Sequence, residues 1–365
     1  MRKIYKCIIH LRERYLEWVT YKAEMRNIRR KKALWSKVKL SPAENDMIVT
    51  YWKDKSGQKV SSKWNRLYAS YLGGDATKDY FPEILFSTKL EKKLSPQKFS
   101  GVLSDKGLMS SLFPGDESYR CPKTIVYNSY GTYTDENKFV ISEKDAAEKM
   151  KNCGLVIIKP TVDTSSGTSV YKANFNNGVD CKSGKTVISF IQEYKENFIV
   201  QECVNQSQYL SRLCDKSLNT FRVITYIYGG RVFTAPLSLR MGTGKSFVDN
   251  IHAGGICIGI TEDYKLRKYA FSEYGHQFDK HPYSGITFEN YDIAPLQKIV
   301  EVAKRLHGRV PMLQMISWDW SLDENNIPVL IELNISGQSI WFPQMLNGVP
   351  FFGERTEYFA NLIRN

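Results

Sequence analysis

The sequence of 365 residues predicts an α+β fold, in which a largely helical N-terminal region precedes α/β segments. Apolar residues recur near helical spacing in residues 1–39, and residues 41–115 continue as helical segments broken by glycine and proline. From Cys121 onwards, short β-branched runs alternate with helical stretches, and long hairpins are predicted in 218–242 and 315–334. A chain of this length with 42% apolar residues can bury a sizeable core and suggests two or three domains.

The composition narrows the class of protein. Seven cysteines are scattered without a CxxC pair, which favours a reduced, cytoplasmic protein over a disulfide framework or a zinc site. No apolar run approaches the roughly 18 residues of a membrane span, and the N-terminus lacks the apolar region of a signal peptide. We expect a cytoplasmic protein without a membrane-spanning helix.

The positive charge is concentrated at the N-terminus. Residues 1–39 hold thirteen Lys and Arg against three Glu, whereas the whole chain has a net charge of +13. The apolar residues near helical spacing are Ile4, Ile8, Leu11, Tyr15, Trp18, Met25 and Ile28. Three interpretations follow: a helix packed on the body with a solvated basic face, contact of residues 1–37 with an anionic membrane at its inner face, or nucleic-acid binding, which we consider the weakest.

The changes in composition along the chain divide it into four parts. Residues 1–40 form a basic amphipathic helical appendage, and residues 41–120 form a helical N-terminal domain. Residues 121–215 and 216–365 form two α/β subdomains. The sequence contains neither an internal repeat nor a low-complexity linker, so we expect the four parts to follow one another directly.

A strand followed by a loop of small residues suggests a phosphate-binding site. The buried-strand run GLVIIKP contains Lys159 at its end, and the loop TVDTSSGTSV occupies residues 161–170. Backbone N–H groups and hydroxyls can point at phosphate oxygens there, small side chains allow close approach, and the lysine adds charge. The segment is not a Walker A motif, and an ordinary hairpin loop is the alternative interpretation.

Three further stretches carry polar residues at the edges of apolar strands. The strand NFIVQECVNQ carries Glu202, whose carboxylate could accept a hydrogen bond from an adenine amino group; an ordinary exposed strand residue is the alternative. The hairpin of residues 218–242 carries Arg222 and Arg240 among apolar neighbours. Asn250 and His252 then precede a Gly-Gly pair that could act as the hinge of a mobile loop.

The two arginines share a sheet face only for certain turn lengths. A two-residue turn at Gly229-Gly230 pairs Arg222 with Leu237 and puts Arg222 and Arg240 on opposite faces. A three-residue loop, or a bulge near Pro236, brings both onto one face. If both arginines serve one phosphate, we expect one of these two irregularities.

The hairpin from Met315 to Gln338 predicts a metal site. Folded symmetrically about Asn325-Asn326, it places Asp319 opposite Glu332, with Asn334 on the same face. Facing carboxylates repel each other, and a divalent cation would offset that repulsion. Oxygen ligands with few carboxylates suit Mg²⁺. A surface hairpin with solvated acids is the alternative.

These motifs, in this order, resemble the ATP-grasp superfamily over roughly residues 100–345. The motifs that carry the resemblance are SDK (104–106), IIKP with the SSGTS loop, VQEC (200–203), NTFR, LRMG…VDNIHAGG and WDW…IELN. The C-terminal half is similar to the ribosomal-protein glutamate ligases. The whole pattern, with SLNTFR and HPYSG (281–285), is closer to the sugar-transfer-associated ATP-grasp proteins, which are associated with cell-surface polysaccharide synthesis.

The resemblance implies two α/β subdomains that clasp ATP and Mg²⁺. It implies α- and β-phosphate contacts for Lys106 and Lys159. A small-residue loop would cover the β- and γ-phosphates: Ser165, Ser166, Gly167, Thr168 and Ser169. One strand end would meet adenine: Glu202, Cys203 and Val204. The implied metal ligands are Asp319, Glu332 and Asn334. The implied catalytic residues are Arg222, Arg240, Asn250 and His252.

The implied activity is ATP-dependent ligation of a carboxylate to an amine through an acyl phosphate, with release of ADP and phosphate. The substrates would be a small-molecule or glycan-precursor acid and an amine. Two alternatives stay open: a kinase acting on a sugar or lipid-linked acceptor, and an inactive nucleotide-binding partner in glycan assembly. Many ATP-grasp ligases carry an arginine where this chain has Ser317, so we expect Arg222 or Arg240 to meet the γ-phosphate instead.

Overall fold

The computed structural model describes residues 2–162 and 169–364. The predicted loop residues Ser165, Ser166, Gly167 and Thr168 lie outside this range. The helices, in chain order, are α1 (Arg2–Arg30), α2 (Lys32–Trp35), α3 (Pro42–Ser56), α4 (Lys63–Leu72), α5 (Glu83–Leu85), α6 (Glu91–Leu94), α7 (Ser100–Leu103), α8 (Met109–Leu112), α9 (Glu143–Met150), α10 (Val187–Tyr194), α11 (Gln208–Ser211), α12 (Leu296–His307), α13 (Trp341–Asn347) and α14 (Thr356–Arg364).

The strands form two antiparallel sheets. The first sheet contains β1 (Thr124–Ser129), β2 (Thr132–Asp135), β3 (Val140–Ile141), β4 (Gly154–Pro160), β5 (Tyr171–Asn176), β6 (Val179–Asp180) and β7 (Phe198–Glu202). The second contains β8 (Thr220–Tyr228), β9 (Arg231–Thr234), β10 (Ser238–Met241), β11 (Ile256–Ile260), β12 (Leu266–Phe271), β13 (Gln277–Phe278), β14 (Met315–Leu322) and β15 (Pro328–Asn334). The orders are β3-β2-β1-β7-β4-β5-β6 and β13-β12-β11-β10-β8-β14-β15, with β9 paired to β8.

The N-terminal helix α1 is only partly packed on the body. Ile28 is buried, and the Trp35 indole N–H donates to its carbonyl oxygen at 2.9 Å. Towards the N-terminus of the helix, Leu11, Tyr15 and Trp18 are exposed. The apolar residues that recur along α1 therefore have two environments. Those at the C-terminal end of the helix join the core, and those in its middle face solvent.

A capping box starts α3, as the Ser-Pro-Ala-Glu pattern predicts. The Ser41 hydroxyl accepts from the Glu44 N–H, and the Glu44 carboxylate accepts from the Ser41 N–H. Residues of α3 and α4 then pack in one hydrophobic core with those of α13 and α14. The N-terminal helices and the C-terminal end of the chain thus share their core.

The two faces of the second sheet are used differently. Phe221, Val223 and Trp318 pack against α12 in one core, whereas Ile224 and Tyr226 on the opposite face join the core of the N-terminal helices. The end of this opposite face carries polar residues next to the first sheet. Among the described residues, no helix is long and apolar enough to cross a membrane.

Candidate functional site

The predicted carboxylate pair lies in the β14–β15 hairpin. Asp319 is opposite Glu332, and Ser317 is opposite Asn334, so the predicted pairing of the two acids is confirmed. The Asn334 side-chain amide lies 3.4 Å from Asp319 Oδ2. Asp319 is buried, while Glu332 is half-buried at the end of the sheet.

The centre of that hairpin differs from the prediction. Trp320 pairs with Leu330 and Leu322 with Pro328, which puts the centre of the turn at Asn325 alone. A register shift between Asp319 and Trp320 leaves one extra residue in β15, and this shift restores the pairing of the two acids. The predicted centre of the hairpin was wrong by half a residue. The bulge in β15 offsets this error, so Asp319 still pairs with Glu332.

The segment from β8 to β10, which carries Arg222 and Arg240, contains the bulge that places both arginines on one face of the sheet. Its turn has two residues, because Tyr228 pairs with Arg231. Further along, Thr225 pairs with Thr234, whereas Arg222 pairs with Ser238. The register has therefore moved by one residue in the segment that contains Pro236, which confirms the second of the two predicted irregularities.

Arg222 and Arg240 converge on Asp319. Arg222 Nε lies 2.6 Å from Asp319 Oδ1, and its Nη2 donates to Oδ2 at 3.1 Å. Arg240 Nη2 lies 3.0 Å from the same Oδ2. The Arg222 Nη1 group also donates to the buried Ser317 hydroxyl at 3.1 Å. The small Ser317 side chain thus leaves space for a guanidinium supplied by the neighbouring strand.

These contacts correct one step of the argument for a metal. We expected the repulsion between Asp319 and Glu332 to require a cation. In the structure, Arg222 and Arg240 neutralise Asp319, while Lys106 Nζ lies 3.3 Å from Glu332 Oε1. The proximity of the acids therefore does not by itself indicate a metal.

The side-chain oxygen atoms of Asp319, Glu332 and Asn334 are nevertheless suitable ligands for Mg²⁺. Asp319 Oδ1 and Arg222 Nε are close enough for an ion pair, but their geometry is not that of a hydrogen bond, and neither atom has another partner among the described residues. A buried carboxylate oxygen with spare lone pairs, a second carboxylate on Glu332 and the Asn334 amide are ligands that Mg²⁺ accepts together with water. No group of three or more His, Cys, Asp and Glu side chains in the described part of the chain is arranged to hold a metal ion.

A rigid turn positions Lys106. The Lys106 N–H donates to the Thr161 carbonyl at 3.1 Å, and Asp105 accepts from the Tyr127 hydroxyl at 2.9 Å. A Cβ on Gly107 would lie 2.1 Å from the Tyr127 ring, so only glycine allows this close approach. The turn brings Lys106 from the helical region to Glu332 of the second sheet.

Lys159 is buried beside this cluster. Burial lowers its pKa to about 8; the Glu332 charge opposes this shift, and the Lys106 charge adds to it. A buried lysine that shares one carboxylate with a second lysine has an incompletely compensated charge. An anion placed between the two lysines would supply that compensation.

Sequence reasoning missed two members of the cluster, Thr220 and Asp249. Both are buried: the Thr220 hydroxyl donates to Asp249 Oδ2 and accepts from Arg240 Nε at 3.0 Å. Burial raises the pKa of Asp249, and the nearby Arg240 opposes this shift. The signal was the aspartate that directly precedes Asn250 in the VDN run.

The structure does not join Asn250 and His252 to the cluster. Asn250 Oδ1 accepts from the His252 N–H at 2.8 Å and caps a short 3₁₀ helix, Ile251–Ala253. The His252 ring Nδ1 lies 3.0 Å from Glu273 Oε2. Neither side chain forms a hydrogen bond or ion pair with Arg222, Arg240 or Asp319 in the described ranges.

A cavity of about 300 Å³ lies between the two sheets. The predicted Lys159, Glu202, Cys203 and Val204 all line it. Sequence reasoning missed the other walls, which include apolar residues, two lysines and an acid: Leu155, Ile157, Phe247, Ile331, Lys172, Lys216 and Asp215. Ile157 and Ile331 give this cavity apolar walls from the first and the second sheet, and Glu202 lines it at a strand end.

Glu202 is not a free acceptor. Its Oε1 accepts from the Arg120 guanidinium and from the Lys123 N–H at 3.0 Å. Arg120 Nε also donates to Asp323 Oδ2 at 2.8 Å, which ties the strand end to the β14–β15 turn. The remaining Oε2 is the atom of Glu202 available to a ligand.

Ser169 is the one predicted loop residue within the described ranges. It has φ of 60°, and its carbonyl oxygen accepts from the Tyr194 hydroxyl at 2.6 Å. Its side chain is exposed, and the structure shows no contact between it and Lys159. Its predicted phosphate contact remains a prediction.

Two sheets that enclose a cavity, with lysines from one side and an acidic hairpin from the other, define an ATP-grasp protein. A family model described as sugar-transfer associated ATP-grasp matches residues 85–358. The chain belongs to this family. No curated protein matches the chain.

Solved structures with similarity to the chain are distant relatives. VanG D-Ala:D-Ser ligase from Enterococcus faecalis is 14% identical, with a TM-score of 0.40 over 72% of this chain and 60% of that chain. D-cycloserine synthetase DcsG is 13% identical, with a TM-score of 0.40 over 74% of this chain and 72% of that chain. N5-carboxyaminoimidazole ribonucleotide synthetase is 9% identical, with a TM-score of 0.37 over 65% of this chain. This chain spans 46% of the synthetase and 60% of VanG, less than two thirds of either.

Proposed function

We propose that this protein is an ATP-dependent carboxylate–amine ligase. The observation that carries the proposal is the convergence of Arg222 and Arg240 on Asp319, beside two lysines and next to a cavity with apolar walls. Such a site suits a nucleoside triphosphate, since the cavity takes the base and the charged groups take the phosphates. The family name, sugar-transfer associated, supports a role in cell-surface polysaccharide biosynthesis.

The charge balance of the site favours a polyanion. Four cationic side chains, Lys106, Lys159, Arg222 and Arg240, face the carboxylates Asp319, Glu332 and Asp249. Burial raises the pKa of Asp249, which weakens its share of the negative charge. The site therefore has an excess of positive charge before any ligand enters it.

We assign the nucleotide contacts from the cavity walls. Adenine would lie between Ile157 and Ile331, with its amino group at Glu202 Oε2 and its ring edge at Cys203 and Val204. Lys106 and Lys159 would hold the α- and β-phosphates. Asp319, Glu332 and Asn334 would hold Mg²⁺, which when bound neutralises charge on the phosphate oxygens.

The reaction joins the acid and the amine in two balanced steps. A carboxylate oxygen of the acid would attack the γ-phosphorus, and the bond between this phosphorus and the β-phosphate oxygen would break. The products of this step would be an acyl phosphate and ADP. Arg222 and Arg240 would stabilise charge on the transferred group. The amine nitrogen then attacks the acyl carbon, phosphate leaves with the C–O electron pair, and the amine proton passes to water.

Dependence of ADP release on both substrates tests this function. A ligase releases ADP and phosphate when an acid and an amine are both supplied, and the product carries an amide bond. A kinase releases ADP with a hydroxyl acceptor alone, and an inactive binding partner releases none. ADP release at the same rate with and without the acid would overturn the ligase assignment and favour the kinase.

We also propose that residues 1–37 contact an anionic membrane surface. The support is the excess of ten positive charges in residues 1–39, together with exposed Leu11, Tyr15 and Trp18 on α1. Basic helices with exposed aromatic residues bind the surface of anionic bilayers. This location would bring a cytoplasmic enzyme to membrane-bound glycan precursors.

A further inference from the structure

A second and larger cavity, of about 800 Å³, lies beneath α1. One wall is the face of α1 that contains Glu17, Thr20 and Glu24, and the opposite wall includes Trp64. The floor is the segment Ser336–Ser339. Because this segment begins two residues after Asn334, the cavity opens beside the end of the proposed metal-binding strand.

The charged side chains that line this cavity are five glutamates and three lysines, so acidic groups are in the majority. Glu24, Glu83 and Glu91 line it, and each has its pKa raised by burial; the charges of Glu24 and Glu91 raise that of Glu83 further. These raised pKa values mean that burial favours the protonated, neutral carboxyls, and a cation placed beside them would favour their charged form. Lys31 provides one cation near Glu24, and Nζ of this lysine lies 4.1 Å from the centre of the Trp341 ring.

Two of these carboxylates already anchor the floor. Glu83 Oε2 accepts from the Ile340 N–H at 3.0 Å, and Glu91 Oε1 accepts from the Gln338 N–H at 2.6 Å. Glu24 has no such main-chain contact among the described hydrogen bonds. The Asn27 side chain and the Lys31 charge lie near Glu24, which is half-buried and lines the cavity, so a ligand can reach its carboxylate.

A separate observation points to a missing hydrogen-bond donor. Gln338 is 4% exposed and lines the cavity, yet its Oε1 has no partner among the described residues. Its Nε2 is directed to Ser95 Oγ at 3.4 Å, which leaves the carbonyl oxygen free. A buried acceptor without a donor is destabilising, and a ligand N–H would remove that destabilisation.

We propose that this cavity binds the amine substrate, with its ammonium group at Glu24 and at the amide oxygen of Gln338. The inference rests on the proposed ligase function for the role of that amine as the nucleophile. The bound ammonium group would first lose one proton to water, because only the neutral amine has the lone pair that attacks the acyl carbon. The volume and Trp64 provide an apolar surface for the rest of the molecule. The position beside Ser336 places the amine next to the end of the strand that carries Glu332 and Asn334.

Binding of matched ligands to the full-length protein tests the proposal. Ethanolamine, glucosamine and L-alaninamide are titrated by calorimetry, each beside its N-acetyl derivative, which lacks the ammonium charge. We expect at least one amine to bind about tenfold more tightly than its derivative, the effect of one charge-assisted contact. No preference for any of the three amines would overturn the proposal.

Variants then localise the binding. Glu24→Gln should weaken the binding of the preferred amine about tenfold, because it removes the charge but keeps the size. Thr20→Trp should abolish it by filling the cavity from the helix surface. Glu196→Gln, an exposed acid of the first subdomain, should leave it unchanged. An amine preference that survives both Glu24→Gln and Thr20→Trp would overturn the assignment to this cavity.

The two proposals fail separately. Wild-type protein with ATP, an acid substrate and hydroxylamine should form a hydroxamate whether or not this cavity binds amines. Hydroxamate without any amine preference would overturn the amine site alone. Amine binding without hydroxamate, over a panel of acids, would overturn the ligase function alone.

Discussion

Two cavities of the molecule differ in the charged side chains that line them. The cavity between the sheets, of about 300 Å³, is lined by three lysines and two acids: Lys159, Lys172, Lys216, Glu202 and Asp215. The cavity beneath α1, of about 800 Å³, is lined by five glutamates and three lysines: Glu13, Glu17, Glu24, Glu83, Glu91, Lys31, Lys92 and Lys98. The first suits phosphates, and the second suits an amine. The acidic hairpin of β14 and β15 connects them, because its last strand runs from the cluster at Glu332 towards the floor of the second cavity.

This difference explains how one site could hold partners that would attract each other in water. An ammonium group mixed with ATP would bind its phosphates. Under the two proposals, ATP and the amine would bind in separate cavities, and the acyl group would lie between them.

The substitution Glu332→Gln should have the largest effect. It removes a carboxylate from the proposed metal ligands and leaves Lys106 without its partner, so kcat should fall by roughly 10²–10³-fold. The melting temperature should change little, since Glu332 is half-buried. Rates of ADP release and thermal melts measure both effects. Glu324→Gln, an exposed acid of the same hairpin, is the control; equal rates for the two variants would contradict the assignment.

Loss of Lys159 should weaken both ATP binding and turnover. The Lys159→Ala variant should show a KM for ATP raised about tenfold and a lowered kcat, because the lysine would contact ATP in the ground state and the transition state. Steady-state kinetics at varied ATP concentration measure both constants. An unchanged KM would remove Lys159 from the phosphate site.

The pH dependence follows from the same lysine. Its pKa is lowered from 10.5 to about 8, so the folded protein loses this charge as pH rises through about 8, and ATP affinity should fall there. Between pH 8 and 10.5 the unfolded chain binds more protons than the folded one, so the stability cost of burying the charge fades in that window. In Lys159→Arg the decline in ATP affinity above pH 8 should disappear.

Removal of the basic appendage should weaken vesicle binding by about tenfold or more. Each basic residue near an anionic surface contributes roughly 1 kcal/mol, so the loss of even two such residues would give an effect of this size. Deletion of residues 1–37 also removes buried Ile28 and Lys31 from the body, so the double substitution of Leu11 and Trp18 by serine is the cleaner variant. Co-sedimentation with anionic vesicles at low and high salt measures the effect. Unchanged binding in both variants would leave α1 as a packed helix only.

The smallest effect is expected for Ser317→Ala. This change removes one hydrogen bond to Arg222 but keeps both contacts of Arg222 with Asp319. A lost hydrogen bond of about 1 kcal/mol corresponds to a decrease in kcat/KM of roughly fivefold. A loss as large as that of Glu332→Gln would show that Ser317 itself takes part in the reaction.

Local patterns predicted much of the site. The pairing of Asp319 with Glu332 was predicted from the symmetry of one hairpin, although a bulge in β15 is what restores it. The bulge near Pro236 was predicted from strand alternation together with the condition that both arginines serve one phosphate. Contacts between distant segments left no such pattern. The salt bridge of Arg120 to Glu202 and the closure of a cavity by α1 depend on how whole elements pack, which spacing along the chain does not encode.

The identity of the phosphate products shows which phosphorus atom of ATP is attacked. Lys106 and Lys159 come from one side of the site, and the arginine pair from the other, so stabilisation is concentrated where the γ-phosphoryl group would move. With ATP, an acid and hydroxylamine in place of the amine, we predict ADP, phosphate and a hydroxamate of the acid. Release of AMP and pyrophosphate during turnover would contradict this account.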